Sequence, residues 1–387
     1  MDFEFTEEQR MVQEMTRTFA EKELKPIASR LDRDGAYPHE QLKKLGEMGL
    51  MGIFVPEEWG GAGMDFLSYV TALEEVSKVW ASLGTIMSVN NSLVCGPLLR
   101  FGSDAQKKRY LPLLARGEWL GCYALTEASA GSDAGSIRTR AARINGDYVL
   151  NGSKVFTTNG SQANLAIVYA VTDPTQGKQG ISAFLVERGT PGFVVGKIED
   201  KLGLRSSETA ALSFEDCRVS RENLLGPEGE GFKIALETLD GGRIGIATQA
   251  VGVAQACIEE ALSYSKQRQQ FGHPIADFQA IQWMLADMAT EIDAARLLTY
   301  RAAWLQQQGR EVTRAAAIAK LFASEASNRA AYKALQIFGG YGYVKDFPVE
   351  RLFRDARVTT LYEGTSEIQR LIIARHLLRD GERRDDA

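Results

Sequence analysis

The middle of this sequence changes period, and that change constrains the fold more than any other feature. From about Gly121 to Gly231 the chain runs in short β-type stretches: "DYVL", "SKVFTT", "ANLAIVYAV", "ISAFLVE" and "GFVVGKI", punctuated by Asn-Gly pairs. Both flanks instead repeat their apolar residues at helical spacing. Helices, then strands, then helices, with no repeat at roughly 20–50 residues, argue against a solenoid and against alternating βαβ units. They predict an α+β protein in three parts: an N-terminal helical domain over 1–120, a central β-barrel-like or sandwich domain over 121–230 and a C-terminal four-helix bundle over 231–387.

Local signals fill in that plan. Asn151-Gly152, between "DYVL" and "SKVFTT", predicts a type I′ hairpin, because both residues tolerate a positive φ. Thr6 and Gln9 form a capping box, after which Met11, Val12, Met15 and Phe19 share one helix face. Phe278, Ile281, Leu285, Met288 and Ile292 have the spacing of an antiparallel bundle seam. "TRAAAIAKLFASEASNRAAYKALQIF" gives a further helix, and the closing "RDGERRDDA" reads as a solvated tail.

Composition narrows the function. With 387 residues the chain can bury several cores, and a net charge of −5 argues against a non-specific nucleic-acid binder. No apolar run reaches membrane-spanning length, and "MDFEFTEEQR" has the character of neither a signal nor a transit peptide. The expectation is a cytoplasmic protein, or a mitochondrial-matrix one as a processed chain, with no membrane and no nucleic-acid partner. Cys95, Cys122, Cys217 and Cys257 lie far apart, as do His39, His273 and His376, which predicts reduced thiols and no metal site. "GGYGYVKD" lacks the third glycine of a dinucleotide fingerprint, and neither a P-loop nor a GxSxG elbow is present.

Four stretches carry candidate chemistry, each with a plainer alternative. In "YALTEASAGSDAGS", Thr126 and Ser132 offer hydroxyls and Gly131 lets backbone approach a flat or anionic ligand; otherwise this is a connecting loop. In "VFTTNG", Phe156 and Thr158 point to one strand face, suiting a stacked ring with a held heteroatom, or a barrel wall. "QIFGGYGYVKDFPVERLFRD" ends a helix at Gly339-Gly340, yet Arg351, Arg354 and Asp355 give it more polar order than a C-cap requires. In "TTLYEGTSEIQRL", Glu363 lies in an apolar setting just before a helix that Ser366 and Gln369 would cap by a capping box and that would run through Leu378. Glu363 either favours the positive end of that helix or serves as a general base.

Two of these stretches, 124–136 and 336–355, resemble the signature motifs of the acyl-CoA dehydrogenases, and "YEGTSEIQR" resembles their catalytic segment. The likeness runs along essentially the whole chain, and "IMSVNNSLVCGPLLRFGS", "LGLRSSETAALSFEDCRV" and "GGRIGIATQAVGVAQ" look most like the short-chain, butyryl-CoA branch. The resemblance implies FAD, held by Tyr123, Leu125, Thr126, Gly131 and Ser132, with Phe156, Thr157 and Thr158 over the ring. It implies that Arg268, Phe271, Gln279, Gln336, Gly339 and Gly340 reach the FAD of a neighbouring subunit, with Thr365 and Glu367 on the rest of its dinucleotide. Ser132, Asp240, Arg243, Tyr362 and Gly364 would line the acyl-CoA site.

By the same resemblance Glu363 is the base that takes the Cα proton, while a hydride leaves Cβ for flavin N5. Some branches place the base next to the "LDGGR" position instead, but Gly242 stands there and cannot serve. The sequence departs from the family's usual pattern at Phe156, where Trp is common, and at Ala128-Ser129, where Pro-Gly is common. The implied protein is a homotetramer that converts a short acyl-CoA to trans-2-enoyl-CoA and passes electrons to an electron-transferring flavoprotein. The rival readings are a branched-chain or dicarboxylic acyl-CoA, reoxidation by O₂, or a catalytically silent family member serving as a scaffold.

Overall fold

A computed structural model describes residues 4–382. Its N-terminal part is helical: α1 (Glu7–Phe19), α2 (Lys25–Asp34), α3 (His39–Glu47), α4 (Phe66–Val79), α5 (Ala81–Ser88), α6 (Gly96–Phe101) and α7 (Asp104–Ala115). The Thr6–Gln9 capping box opens α1 as expected. The buried face of α1 differs only in part from the expected one, since Val12 is buried and Phe19 packs half-buried against the core. It presents Gln9, Val12 and Thr16 inward, while Met11 and Met15 are exposed. The polar inward positions are satisfied: Gln9 donates to Asp65 at 2.7 Å and the Thr16 hydroxyl donates to the Val12 carbonyl at 2.8 Å. Between α5 and α6 the chain widens into a π-turn, Val89–Cys95, every residue of which is buried.

The strands follow: β1 (Gly121–Ala124), β2 (Arg140–Ile144), β3 (Asp147–Thr158), β4 (Leu165–Val171), β5 (Ile181–Glu187), β6 (Phe193–Ile198), β7 (Thr209–Val219) and β8 (Leu224–Leu225). They form one sheet in the order β6-β7-β3-β2-β4-β5-β8, with β1 paired in parallel to β4. Strands β4 and β5 are buried on both faces, which is why they read as continuous apolar runs. Leu165, Ile167 and Tyr169 join a core with α7 residues, and Ala166, Val168 and Ala170 join a second core with Phe184 and Phe214.

The hairpin expected at Asn151-Gly152 is not a turn. Asn145 (φ 52°) and Gly146 (φ 92°) make it, six residues earlier, joining β2 to β3. Asn151 and Gly152 lie inside the twelve-residue β3, where pairing with β7 slips by one residue. Gly152 is required there for a different reason: a Cβ would lie 2.6 Å from Thr139 Oγ1.

The C-terminal part contains α8 (Gly231–Gln267), a two-residue hairpin β9 (Gln269–Gln270) and β10 (His273–Pro274), then α9 (Gln279–Gln307), α10 (Thr313–Phe338), α11 (Val349–Val358) and α12 (Ser366–Glu382). Helices α8, α9 and α10 pack on one another, and α12 packs on α10. In the α9 seam Met288 and Ile292 are buried and Ile281 and Leu285 half-buried, while Phe278 stands one residue ahead of the helix. Helix α12 continues to Glu382, past the expected end at Leu378; the rest of the expected tail, 383–387, lies outside the described residues. All four cysteines are free and buried, and among the described residues no cluster could hold a metal and no helix is long and apolar enough to cross a membrane.

Candidate active site

Glu363 sits in the turn between α11 and α12 with φ 50°, followed by Gly364 at φ 92°. A left-handed glutamate is strained and persists only where its surroundings over-determine it. Here Gln369 Nε2 donates to the carbonyls of Gly364 (2.9 Å) and Glu363 (3.3 Å), and Lys320 Nζ donates to the Gly364 carbonyl at 2.8 Å. On the preceding residue, the Tyr362 hydroxyl donates to Gln249 Oε1. The expected Ser366–Gln369 capping box does not form. Thr365 is the cap, its Oγ1 accepting from the Ile368 N–H at 3.3 Å, and Gln369 is spent on the turn instead.

The Glu363 carboxylate lies against α8, not against the start of α12. A Cβ at Gly242 would fall far inside contact distance of Oε2, 3.0 Å from Glu363 Cδ and 2.7 Å from Leu93 Cδ2. The absence of a side chain at Gly242 is therefore what makes room for this carboxylate. Oε2 is buried and makes no hydrogen bond. Burial pushes the group up to about 7, against the opposing pull of Lys320 and Arg243. Flanking Gly242 on α8, Arg243 and Asp240 form a buried pair at 2.6 Å, and Thr313 donates to the other Asp240 oxygen at 2.6 Å. Ser132, expected beside this pair, lies on an exposed loop and shares none of the described hydrogen bonds with it.

That loop is pinned to β3 by a buried ion pair. Lys154 Nζ, fully buried, meets Glu127 Oε1 at 2.8 Å and the Leu125 carbonyl at 3.1 Å, and Glu127 also accepts the N–H groups of Arg138 and Thr139. The Val155 N–H donates to the Thr126 carbonyl at 2.9 Å, which brings Thr126 beside the "VFTT" strand end. Leu125 itself is buried, and its carbonyl already accepts from Lys154. Tyr123 is half-buried, its ring 5.1 Å from Tyr169. Phe156 occupies a bulge at φ 55° and is 67% exposed; Thr157 beside it is buried with an unpartnered Oγ1, and Thr158 is half-buried.

Arg268, Phe271, Gln279, Gln336, Gly339 and Gly340 form a separate exposed group where the end of α8, the β9–β10 hairpin and the end of α10 meet. Arg268 lies over the Tyr341 ring at 5.7 Å, and Phe271, at φ 54°, is 91% exposed. Glu367 is exposed in the first turn of α12. No described hydrogen bond or ring contact joins this group to Thr126 or Phe156.

Sequence reasoning missed Glu127, Lys154 and Lys320. The one available hint was Lys320 as the lone charge in the alanine-rich apolar run from Ala315 to Ser324. Lys154 and Glu127 are 27 residues apart, so their pairing is visible only in three dimensions.

These observations suit a flat ring and a diphosphate. An open aromatic in a strained bulge, an orphaned buried hydroxyl, and positions Gly131, Gly339 and Gly340 with no atom within 4 Å of a built Cβ leave both groups free to receive one. Together with a poised carboxylate whose Oε2 is buried they describe an oxidoreductase of the flavoprotein kind. The comparisons say which. The N-terminal, middle and C-terminal domain models of acyl-CoA dehydrogenase match residues 6–118, 122–217 and 229–378. The chain is 53% identical to the mitochondrial short-chain specific acyl-CoA dehydrogenase of Mus musculus, over 97% of this chain and 91% of that protein. Butyryl-CoA dehydrogenase of Megasphaera elsdenii shares the fold with TM-score 0.96 at 46% identity, covering 98% of this chain and 100% of that one. A chain solved in work on the electron transferring flavoprotein of Acidaminococcus fermentans matches with TM-score 0.97 at 51% identity, covering 98% and 100%. The chain belongs to the acyl-CoA dehydrogenase family, whose members are FAD-dependent oxidoreductases.

Proposed function

We propose that the protein dehydrogenates a short-chain acyl-CoA to trans-2-enoyl-CoA, with Glu363 as the base. The carrying observation is the buried, unpartnered Oε2 of a half-buried Glu363 side chain beside Gly242, a site able to hold a Cα–H against a poorly solvated base. The Glu363 N–H takes part in none of the described hydrogen bonds and is free to donate to the thioester oxygen as negative charge develops there. Arg243 and Asp240 hold the neighbouring wall, and Tyr362 keeps the turn oriented. FAD, when bound, supplies the two-electron acceptor; Thr126, Phe156, Thr157 and Thr158 would hold its ring. The short chain is supported by the names of the relatives at about half identity. Anaerobic flavin bleaching across C4 to C16, branched and dicarboxylic acyl-CoAs tests it. A C4 optimum is expected, and fastest bleaching by a C16 or dicarboxylic substrate would refute the short-chain reading.

Electron-transferring flavoprotein is the proposed acceptor, supported by the context of the Acidaminococcus fermentans chain. A homotetramer is supported by exposed large apolar residues on α9 and α12, among them Trp283, Leu297, Trp304, Leu377 and Leu378. The units 1–120, 121–230 and 231–387 are supported by the start of β1 at Gly121 and of α8 at Gly231. A compartment that keeps thiols reduced, cytoplasm or mitochondrial matrix, is in keeping with four buried free cysteines.

Two further outcomes follow for the flavin. Phe156→Ala should alter the flavin absorption envelope with little loss of stability, because an exposed phenylalanine contributes little to the core; an unchanged spectrum with a lowered melting temperature would make it barrel wall. Arg268→Ala should release flavin on dilution and weaken the assembly, since a guanidinium suits a diphosphate. Full flavin occupancy of that variant at low protein concentration would count against a site shared between subunits.

A further inference from the structure

Lys320 is 0% exposed, in the middle of α10, among Ala316, Ala317, Ala319 and Ala323. A buried ammonium is costly unless its charge and its donors are used. Yet Lys320 forms none of the described ion pairs, and its one described side-chain hydrogen bond goes to the Gly364 carbonyl, 44 residues away. Its use must therefore lie at the turn that carries Glu363.

The surrounding charges sharpen this. From α8, Arg243 faces the pair, but it is tied to Asp240 at 2.6 Å. Glu325 of α10, itself paired with Arg370 at 3.4 Å, and the exposed Glu367 of α12 act on Lys320, and the phenols of Tyr69, Tyr123 and Tyr362 face Glu363. Among these groups Lys320 is the cation without a carboxylate of its own. We propose that Lys320 is a positioning residue for Glu363: its ammonium fixes the Gly364 carbonyl, and hence the left-handed turn, while its charge keeps the carboxylate in its proton-accepting form. This rests on Glu363 being the base. In keeping with a shared field, burial lowers the proton affinity of Lys320, to about 8, and Glu363 opposes that shift.

The test is the pH profile of anaerobic flavin bleaching by butyryl-CoA in the holoenzyme, for wild type, Lys320→Met and Lys320→Gln. Removing a cation near a carboxylate raises the carboxylate's pKa, so the acid limb should move up by about one pH unit or more in both variants. The rate near pH 7 should fall about fivefold or more, with acyl-CoA affinity nearly unchanged. At alkaline pH the Gln variant, which can still donate to the Gly364 carbonyl, should recover most of its rate, and the Met variant less. An acid limb that stays put in both variants overturns the proposal. So does failure of both to fold with flavin, which would make Lys320 a folding residue. Should Glu363→Gln itself still bleach, the base assignment fails first, and that result is separate from either outcome at Lys320.

Discussion

Glu363→Gln should still bind acyl-CoA, still perturb the flavin spectrum on binding, and bleach more slowly by a factor of about 10² to 10⁴. Gln keeps the size and reach of the side chain and removes the proton acceptor. If Glu363 only assisted the start of α12, the change would cost a few tenths to about 1 kcal/mol of stability and leave turnover nearly intact. The geometry already speaks against that role, since the helix is capped by Thr365 and the carboxylate faces Gly242. Burial holds the group near 7, which sets the sign of the pH dependence. The base works ionised, so bleaching should rise with pH through about 7. Stability runs the other way. A carboxyl whose folded pKa is raised binds more protons folded than unfolded, so its contribution to stability declines as pH rises from the ordinary carboxylate range to about 7. A Gln variant bleaching within about tenfold of wild type would sink the base assignment.

The order of helices and strands was legible because each region has its own period and each is long enough to show it. Turns and caps were less so, since several residues satisfied the same local rule. The chain has Asn-Gly at 145–146 and again at 151–152, and either pair can make a hairpin. What chose the first was pairing: Asn151 stays in register opposite Arg140, and Gly152 passes too close to Thr139 for a side chain. Thr365 and Ser366 are both fit to cap α12, and the turn's demand on Gln369 decided between them. On α1, Met11 and Met15 looked like core by hydrophobicity, but Gln9 could turn inward because Asp65 waited there, and Thr16 because its hydroxyl is satisfied by the Val12 carbonyl of its own helix. The candidate site follows the same division. Glu363, Asp240 and Arg243 stand out by residue type, whereas Lys154–Glu127 and Lys320–Gly364 join residues far apart in sequence and carry no local pattern.

Gly242→Ala is the sharper test of the site, because it adds only a methyl group and no charge. In a helix interior, alanine is favoured over glycine by about 1 kcal/mol, so α8 itself should gain. The added Cβ, however, would overlap Glu363 Oε2 and lie 2.7 Å from Leu93 Cδ2. Both are ends of flexible side chains, so the clash is relieved by moving them, at about 1–3 kcal/mol for an overpacked site. The net change in stability should therefore be small, within about 2 kcal/mol. The carboxylate does not escape so lightly. Its turn is fixed by Gln369 and Lys320, so the side chain must rotate away from α8 while its backbone stays put. A shift of about 1 Å in a catalytic group can cost about 10²-fold in rate. The expected result is a folded, flavin-loaded protein that bleaches about a hundredfold more slowly, with its acid limb moved because the carboxylate has left its buried site. Normal bleaching in Gly242→Ala, with flavin retained, would mean that the carboxylate does its work from somewhere other than the cleft against α8.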